Sequence, residues 1–385
     1  MNGKQRARGR RMWKMRWGII GCGVISTAHA VAVRSLGESS SLVAAYDIER
    51  AKTKAFAARE GCAAEETLDA LLGRDDVDSV AVCVPSGLHA EIAVAALEAG
   101  KHVVVEKPLD ITLEAADRII EAERSTGKVV TTISQRRFEP ASEFIHRAVH
   151  EGALGKITSG TAECTWWRSQ QYYASAGWRG TWSMDGGGAL MNQGVHQADM
   201  LLWMLGTPVE VTAYADTLAH DGLAVEDTVA AVVRFESGAI ATLSATTSAN
   251  PGLPLRLSVH GDGGIAVLDG NELGTFTLAD PNAADGSTLV DPGRSAEPAF
   301  GGGVDDWRAR YEREAAALRS RRRAAGEPDP GGMNHPAQYA DFVDAVQTGR
   351  APAVTTADGR RALELVLGVY ESARSGKPVT LGPGR

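Results

Sequence analysis

From residue 15 onward, short apolar runs alternate with helical stretches of ten or more residues, and this rhythm restricts the fold more than any other feature. The runs lie at 17–20, 41–47, 77–85, 101–106 and 129–133. They are apolar throughout, as strands buried on both faces of a sheet are. Strands that alternate with helices predict an α/β fold with a doubly wound parallel sheet.

The rhythm changes after residue 138. Strand-like runs separated only by short turns follow at 209–217, 228–235, 239–245, 255–260 and 264–268, and Glu236-Ser237-Gly238 has the composition of a hairpin turn. We therefore expect a dinucleotide-binding Rossmann domain over 15–138 and an α+β domain with a large, mostly antiparallel open sheet over 139–385. Later helices are expected at 142–151, 187–205, 307–325, 336–348 and 359–375, and a long loop at 280–306.

The composition excludes several classes of protein. With 40 Lys+Arg against 48 Asp+Glu, the net charge of −8 offers no basic surface for nucleic acid or an anionic membrane. No run of 18 apolar residues is present to span a bilayer. The four cysteines lie far apart and without metal-ligand spacing, which favours reduced thiols in a cytoplasmic protein without a metal site. The basic segment 1–14 is expected to be a disordered tail.

The turn after the first strand reads Gly21-x-Gly23-x-x-Ser26. Gly21 permits a tight turn, Gly23 lets the backbone approach a pyrophosphate at a helix N-terminus, and Ser26 is small enough for close helix–strand packing. Asp47 ends the second strand, where a carboxylate accepts hydrogen bonds from ribose hydroxyls and repels a 2′-phosphate. The pattern predicts a dinucleotide site that prefers NAD to NADP. Arg50 would weaken that preference, and a plain helix N-cap is the alternative role of Asp47.

Two further segments carry groups suited to acid–base chemistry. Lys107 follows Glu106 at the end of a strand, where ligands of open parallel sheets collect, although a lone lysine is by default a surface residue. Asn192, His196 and Asp199 are spaced i, i+4 and i+7, which places them on one face of the expected helix. A single histidine is more often a core residue than a catalyst. One that shares a face with two polar residues favours a helix that lines a cleft.

Aromatic side chains concentrate in one segment of 17 residues, which holds six of the 22 in the chain: Trp166, Trp167, Tyr172, Tyr173, Trp178 and Trp182. Flat rings stack on sugars and can wall a nicotinamide pocket, and packing in a core or an interface is the equal alternative. Arg179 is the local candidate for a contact with substrate or cofactor, and His335 is a second candidate for a substrate contact.

These motifs together resemble the glucose–fructose oxidoreductase / inositol dehydrogenase / rhizopine catabolism (Gfo/Idh/MocA) family. The resemblance rests on Gly21-Cys22-Gly23, Pro85-Ser86-x-x-His89, Glu106-Lys107-Pro108, residues 186–199, Arg136-Arg137-Phe138 and Gly349-Arg350-x-Pro352. It implies an NAD(P)-dependent dehydrogenase acting on CH–OH groups of sugars or polyols, and a homodimer or homotetramer. Many members have Asp where this chain has Asn192, and Asn cannot stabilise an imidazolium by charge.

We therefore predict that NAD accepts a hydride from a secondary hydroxyl of a sugar, anhydrosugar or cyclic polyol such as inositol. His196 is the expected general base, Lys107 the partner of the developing alkoxide, and Asn192 the group that positions the same oxygen. The expected cofactor contacts are Gly21, Cys22, Gly23, Val24, Ile25, Ser26, Asp47, Arg50, Pro85, Ser86, His89, Glu106, Lys107, Gln135 and Arg179. The expected substrate contacts are Lys107, Trp178, Arg179, Asn192, His196 and His335.

Three alternatives remain open at this point. An NAD-dependent glycoside hydrolase that oxidises its substrate transiently would release a leaving group without net formation of NADH. An NADP-dependent ketosugar reductase would use the same site in the opposite direction. A nucleotide-sensing regulator without catalysis is disfavoured, because Lys107 and His196 are both present.

Overall fold

The computed structural model describes residues 13–279, 299–301, 307, 309–313, 315–317 and 334–382. Most of three expected segments therefore lies outside the described residues: the basic tail at 1–14, the loop at 280–306 and the helix at 307–325. The rest of the chain forms two β-sheets with helices packed on them.

Six parallel strands form the first sheet, in the order β3-β2-β1-β4-β5-β6. They are β1 Met15–Ile20, β2 Ser40–Tyr46, β3 Ala63–Ala64, β4 Ser79–Val82, β5 His102–Val105 and β6 Val130–Thr132. The helices between them are α1 Ser26–Ser35, α2 Arg50–Glu60, α3 Leu68–Leu72, α4 His89–Glu98 and α5 Leu113–Thr126. The strand order reverses between β1 and β4, so a crevice opens at the carboxyl ends of these strands. The expected doubly wound sheet is confirmed.

Nine strands form the second sheet, in the order β14-β13-β12-β11-β7-β10-β9-β8-β15. They are β7 Ile157–Thr165, β8 Pro208–Asp216, β9 Thr228–Phe235, β10 Ile240–Thr246, β11 Arg256–Gly261, β12 Gly264–Asp269, β13 Glu272–Leu278, β14 Ala299–Gly301 and β15 Val379–Thr380. All neighbouring pairs are antiparallel except β7–β10 and β13–β14. The expected hairpin joins β9 to β10, with Gly238 at a φ of 88°. The mostly antiparallel sheet is confirmed.

The remaining helices follow β6 in the chain. They are α6 Pro140–His150, α7 Gln170–Ala174, α8 Val195–Leu205, α9 His335–Thr348 and α10 Thr356–Ser375. Helix α9 returns to the first domain, where the rings of Tyr339 and Phe342 pack 4.8 and 5.6 Å from that of Trp17. A single boundary at residue 138 therefore assigns to the second domain a helix that completes the core of the first.

The segment expected as one helix over 187–205 has two parts. Ala189–Gly194 forms a π-helical turn, and the regular helix α8 begins at Val195. Side chains cap the first amides of this turn: Glu226 accepts from the backbone N–H of Gly188 and Leu190, and Tyr370 Oη accepts from that of Met191. Burial raises the pKa of Glu226 to about 7.

Within the described part of the chain, none of the helices combines the length and the apolar character needed to cross a bilayer.

Candidate active site

The turn between β1 and α1 has the shape that a pyrophosphate requires. Gly21 has a φ of 92°, and a Cβ there would lie 2.5 Å from the carbonyl oxygen of Cys83. A Cβ at Gly23 would meet nothing within 4 Å, so this position faces open space at the N-terminus of α1. The Ser26 side chain is fully buried, and its Oγ donates to the carbonyl of Gly23 over 2.6 Å. These residues fit a dinucleotide, with the diphosphate over Gly23.

Asp47 lies directly after β2 with its carboxylate at this turn. Oδ2 accepts from the Cys22 N–H and Oδ1 from the Glu49 N–H, each over 2.8 Å. Helix α2 begins at Arg50 with Glu49 as its N-cap, so Asp47 is not the cap. Since each oxygen keeps acceptor capacity, Asp47 fits two ribose hydroxyls. The Arg50 guanidinium forms an exposed ion pair with Glu66, and its expected contact with the cofactor stays a prediction.

The other residues expected at the cofactor differ in their surroundings. Pro85 precedes a short helical turn that begins at the buried Ser86. His89 is buried, with Nδ1 2.7 Å from the carbonyl of Pro108 and Nε2 3.0 Å from that of Val84. It holds two turns together and has no ring nitrogen left for a cofactor. The buried Oε1 of Gln135 has no hydrogen-bond partner among the described residues, which suits a cofactor amide.

Glu106 lies in a buried cluster below the crevice. Its Oε1 accepts from Nε2 of His29 over 2.9 Å and from Nε2 of His335 over 3.3 Å, and its Oε2 accepts from the Lys107 N–H over 3.1 Å. Burial opposes the charge, but the two histidine hydrogen bonds outweigh it and hold the pKa of Glu106 well below its usual value. Glu106 therefore holds the backbone of Lys107, and Nε2 of His335 faces Glu106, whereas the buried Nδ1 of His335 has no hydrogen-bond partner among the described residues. The expected contacts of Glu106 with the cofactor and of His335 with the substrate stay predictions.

This cluster also has the composition of a metal site. Its three ligand atoms lie within 4.8 Å of one another. However, the 2.9 Å between His29 Nε2 and Glu106 Oε1 is a hydrogen-bond distance, shorter than the roughly 3.3 Å that separates two ligands of a tetrahedral zinc ion. The contacts are those of a hydrogen-bonded cluster, and the absence of a metal stays a prediction.

Lys107 joins the two domains at the crevice. Its Nζ donates to the carbonyl oxygen of Asn192, in the π-helical turn, over 2.7 Å. Burial lowers the pKa of the Lys107 ammonium, while the charges of Glu106 and Asp185 oppose that shift. The hydrogen bond to Asn192 holds the Lys107 amino group at a fixed place against the second domain.

His196 lies in the first turn of α8, close enough to Lys107 to feel its charge. Burial, and then the positive charges of Lys107 and Arg136, lower the pKa of His196 well below its usual value. Its ring forms no hydrogen bond to any residue in the described ranges. A neutral imidazole with a free nitrogen is suited to accept a proton.

The Asn192 side chain has a partner that the sequence motif does not include. Its Nδ2 donates to Oδ1 of Asp185 over 2.6 Å, and Oδ2 of Asp185 accepts from the Gly180 N–H over 2.8 Å. Burial raises the pKa of Asp185. The site thus has a carboxylate next to position 192, although it comes from residue 185. Its only signal in the sequence is its place directly before the three glycines at 186–188.

Asp199 does not line the cleft, which corrects the expectation of one polar face. Its two oxygens accept from Nε and Nη2 of the buried Arg137 over 2.9 and 2.6 Å. Arg137 Nη1 also lies 3.4 Å from Asp358, at the start of α10. This ion-paired cluster fixes α8 against the neighbouring helices.

We expect Asp199→Ala to destabilise the protein by about 3–5 kcal/mol, because it leaves a buried guanidinium with only the longer Asp358 contact. The free energy of unfolding in urea measures this. Asp117→Ala, which removes an exposed ion pair with Arg360, is the control and is expected to cost under about 1 kcal/mol. An Asp199→Ala protein as stable as the wild type would contradict the structural role.

The aromatic segment divides between the core and the crevice. Tyr173 is buried with its hydroxyl 2.7 Å from Thr247 Oγ1, and Trp182 Nε1 donates to the carbonyl of Ala224 over 2.8 Å. Trp178 lies against the Arg179 guanidinium, at 4.6 Å from ring centroid to Cζ. Arg179 is close enough to Lys107 for its charge to lower the pKa of the lysine, and the expected substrate contacts of Trp178 and Arg179 stay predictions.

A dinucleotide turn opposite a lysine and a neutral histidine is the arrangement of a nicotinamide-dependent oxidoreductase. Residues 15–134 match the family described as "Oxidoreductase family, NAD-binding Rossmann fold", and residues 143–267 match the GFO/IDH/MocA C-terminal domain. The chain belongs to the Gfo/Idh/MocA family of oxidoreductases.

Named relatives cover most of the chain. A 1,5-anhydro-D-fructose reductase from Ensifer adhaerens is 31% identical over 358 residues, which are 90% of this chain and 98% of the relative. An inositol 2-dehydrogenase from Rhizobium meliloti is 29% identical over 66% of this chain and 76% of its own length. The crystal structure of the WlbA dehydrogenase from Bordetella pertussis, in complex with NADH and UDP-GlcNAcA, superposes with a TM-score of 0.81 at 28% identity, covering 96% of this chain and 98% of that one.

Proposed function

We propose that the protein oxidises a secondary hydroxyl of a sugar, anhydrosugar or cyclic polyol with NAD. The observation that carries the proposal is the contact of Lys107 Nζ with the backbone of Asn192, which brings a proton donor from the first domain to a neutral His196 in the second. The named relatives act on the same kinds of molecule, as an anhydrofructose reductase and an inositol dehydrogenase.

NAD, when bound, supplies the acceptor for the hydride that leaves the carbon. Gly23 and Asp47 would hold its diphosphate and ribose, and Gln135 its amide. His196 accepts the proton of the substrate hydroxyl, because its imidazole is neutral and its ring has no competing partner. Lys107 donates a hydrogen bond to the oxygen as negative charge develops on it. Asn192, whose amide is held by Asp185, positions that oxygen.

A panel of sugars, anhydrosugars and inositols, scored for NADH formation at 340 nm, tests the function. We expect at least one neutral or charged member of the panel to reduce NAD in proportion to the enzyme added. Release of an aglycone without NADH formation would favour the glycoside hydrolase instead. Oxidation of NADPH by a ketosugar, faster than that of NADH, would favour the reductase. If none of these reactions occurs, the proposed activity is wrong.

We further propose a cytoplasmic homodimer or homotetramer. All four cysteines are free thiols, which supports a reducing compartment. The second sheet exposes apolar side chains on its strands, among them Tyr214, Val232 and Ile240 at 81%, 49% and 45%. Such a surface supports association with a second copy.

The lowered pKa of His196 predicts a shifted pH dependence. A general base acts only when unprotonated, so kcat/KM falls as the pH drops through its pKa. Because that pKa lies well below its usual value, we expect the acid limb of the profile well below pH 6.5. A profile of log(kcat/KM) from pH 4.5 to 9 measures the limb. A midpoint at or above pH 6.5 would contradict a desolvated His196 as the base.

The hydrogen bond between Asp185 and Asn192 provides a second, more specific test of the pH dependence. In Asn192→Asp two carboxyl groups would meet and share one proton, so we expect only a small movement of the acid limb. In Asn192→Asp/Asp185→Asn a single carboxylate stands at residue 192, near His196. It should favour the imidazolium and move the limb to higher pH. An acid limb at the same pH in both variants would contradict the contact between Asp185 and Asn192.

A further inference from the structure

We propose that Arg168 and Arg179 form an anion-binding subsite next to Asn192, and that the sugar bears a negatively charged substituent, a carboxylate or a phosphate. The inference rests on the proposed function and adds to it a class of substrate. Neither the family nor the catalytic groups of the site require a charged sugar.

The two guanidinium groups meet at one aromatic ring. Cζ of Arg168 lies 5.0 Å and Cζ of Arg179 lies 4.4 Å from the ring centroid of Tyr172. Arg179 Nη1 donates to Tyr172 Oη over 2.6 Å, and Arg168 Nη2 donates to Gln193 Oε1 over 3.2 Å. These partners are neutral, so two positive charges are held side by side without a balancing charge in their contacts.

No carboxylate in the described part of the chain forms an ion pair with either arginine. The buried Arg137, by contrast, contacts both Asp199 and Asp358. In addition, Nε of Arg168 and Nε of Arg179 are both buried and have no hydrogen-bond partner among the described residues. Unsatisfied buried donors are costly, and a carboxylate or phosphate is the acceptor that a guanidinium fork fits best.

The positive charge around the two arginines contrasts with the net negative charge of the whole protein. The chain carries a net charge of −8, yet Lys107, Arg168 and Arg179 lie near one another in the crevice. Both arginines are close enough to lower the pKa of Lys107. The nearby acid, Asp185, is engaged by Asn192 and by the Gly180 N–H. A local positive potential in an acidic protein attracts an anionic ligand.

Hydrogen bonds link the subsite to the reacting centre. Gln193 Nε2 donates to Tyr172 Oη over 3.0 Å and to Asn192 Oδ1 over 3.2 Å. An anion held by the arginines would thus belong to the molecule whose hydroxyl faces Asn192 and His196. The diphosphate of the cofactor has its own place at Gly23 in the first domain, whereas Arg168 follows β7 in the second.

Matched pairs of ligands test the subsite directly. D-glucose with D-glucuronate and D-glucose 6-phosphate, and D-galactose with D-galacturonate, are titrated by calorimetry into the full chain saturated with NADH. We expect the anionic member of at least one pair to bind ten times or more tightly than its neutral partner. The tighter of glucuronate and glucose 6-phosphate shows whether the site takes a carboxylate or a phosphate.

Variants then assign the preference to the two arginines. Arg168→Gln and Arg179→Gln should each weaken binding of the anion about tenfold or more relative to binding of its neutral partner. Arg179→Lys, which keeps the charge, should recover part of the loss. Arg124→Gln, on the exposed face of α5, is the matched control and should change neither affinity. Melting temperatures show whether each variant is folded.

Two results would overturn the subsite. One is that no anionic member binds more tightly than its neutral partner in any pair. The other is that the arginine variants weaken neutral and anionic ligands equally, which would assign both residues to packing on Tyr172. Binding does not depend on turnover. Tight, arginine-dependent binding, together with no NAD reduction by any member of the substrate panel, would leave the subsite standing and refute the proposed oxidation.

Discussion

Lys107→Ala is expected to lower kcat by about 10²–10⁴ on the best substrate of the panel, with NAD affinity largely retained. In the proposed mechanism the Lys107 side chain is the donor to the reacting oxygen, whereas the diphosphate would be held at Gly23, in the turn after β1. His196→Ala should lower kcat to a similar degree, because it removes the proton acceptor. Steady-state kinetics and the fluorescence titration of NADH measure the two effects separately.

Two control variants separate chemistry from packing. Lys107→Met keeps the buried stem but not the charge, so it should be as inactive as Lys107→Ala and closer to the wild type in melting temperature. Lys54→Ala, on the exposed face of α2, should be fully active. Wild-type turnover in both Lys107→Ala and His196→Ala would show that the reaction takes place elsewhere.

Much of the fold follows from local patterns in the sequence. Apolar runs of four to nine residues separated by helices predict a parallel sheet, and Gly21 can be recognised from the Gly-x-Gly-x-x-Ser pattern after the first run. The structure gives the physical reason for glycine there, because a Cβ would lie 2.5 Å from the Cys83 carbonyl oxygen. Helix α9 could not be placed in this way. Its contact with Trp17 joins residues more than 300 positions apart, and such a contact leaves no trace in periodicity.

The errors in the site have a common physical cause. The i, i+4, i+7 spacing assumes a regular helix, but the π-helical turn before Val195 changes the directions of the side chains, and Asp199 finds a buried cation in Arg137. The contact between Asp185 and Asn192 depends on the glycine turn between them. A Cβ at Gly188 would lie 1.8 Å from the carbonyl oxygen of Glu226, so this turn is shaped by the segment that leads into β9.

The roles of Arg168 and Arg179 also could not be predicted fully from the sequence. Arg179 could be selected because it adjoins Trp178 in a segment rich in aromatic residues. Arg168 lies in the same segment, but its position beside Arg179 depends on the short helix α7, which carries Tyr172 between them. Residue types indicate a ligand site here. The proposed negative charge of the ligand is inferred from the structure, in which Arg168 and Arg179 contact only neutral partners among the described residues.

Asp47 should make NAD the preferred cofactor by about two orders of magnitude in kcat/KM, because the 2′-phosphate of NADP would meet its carboxylate. Asp47→Asn removes the charge and keeps an oxygen for the Cys22 or Glu49 amide, so the turn should remain intact. We expect the ratio of kcat/KM for NADP to that for NAD to rise about 10–100-fold in this variant.

Glu49→Gln is the control, because it removes an exposed carboxylate two residues from Asp47 and should change this ratio little. If the wild-type enzyme uses NADP with a kcat/KM equal to that for NAD, the charge of Asp47 does not select the cofactor.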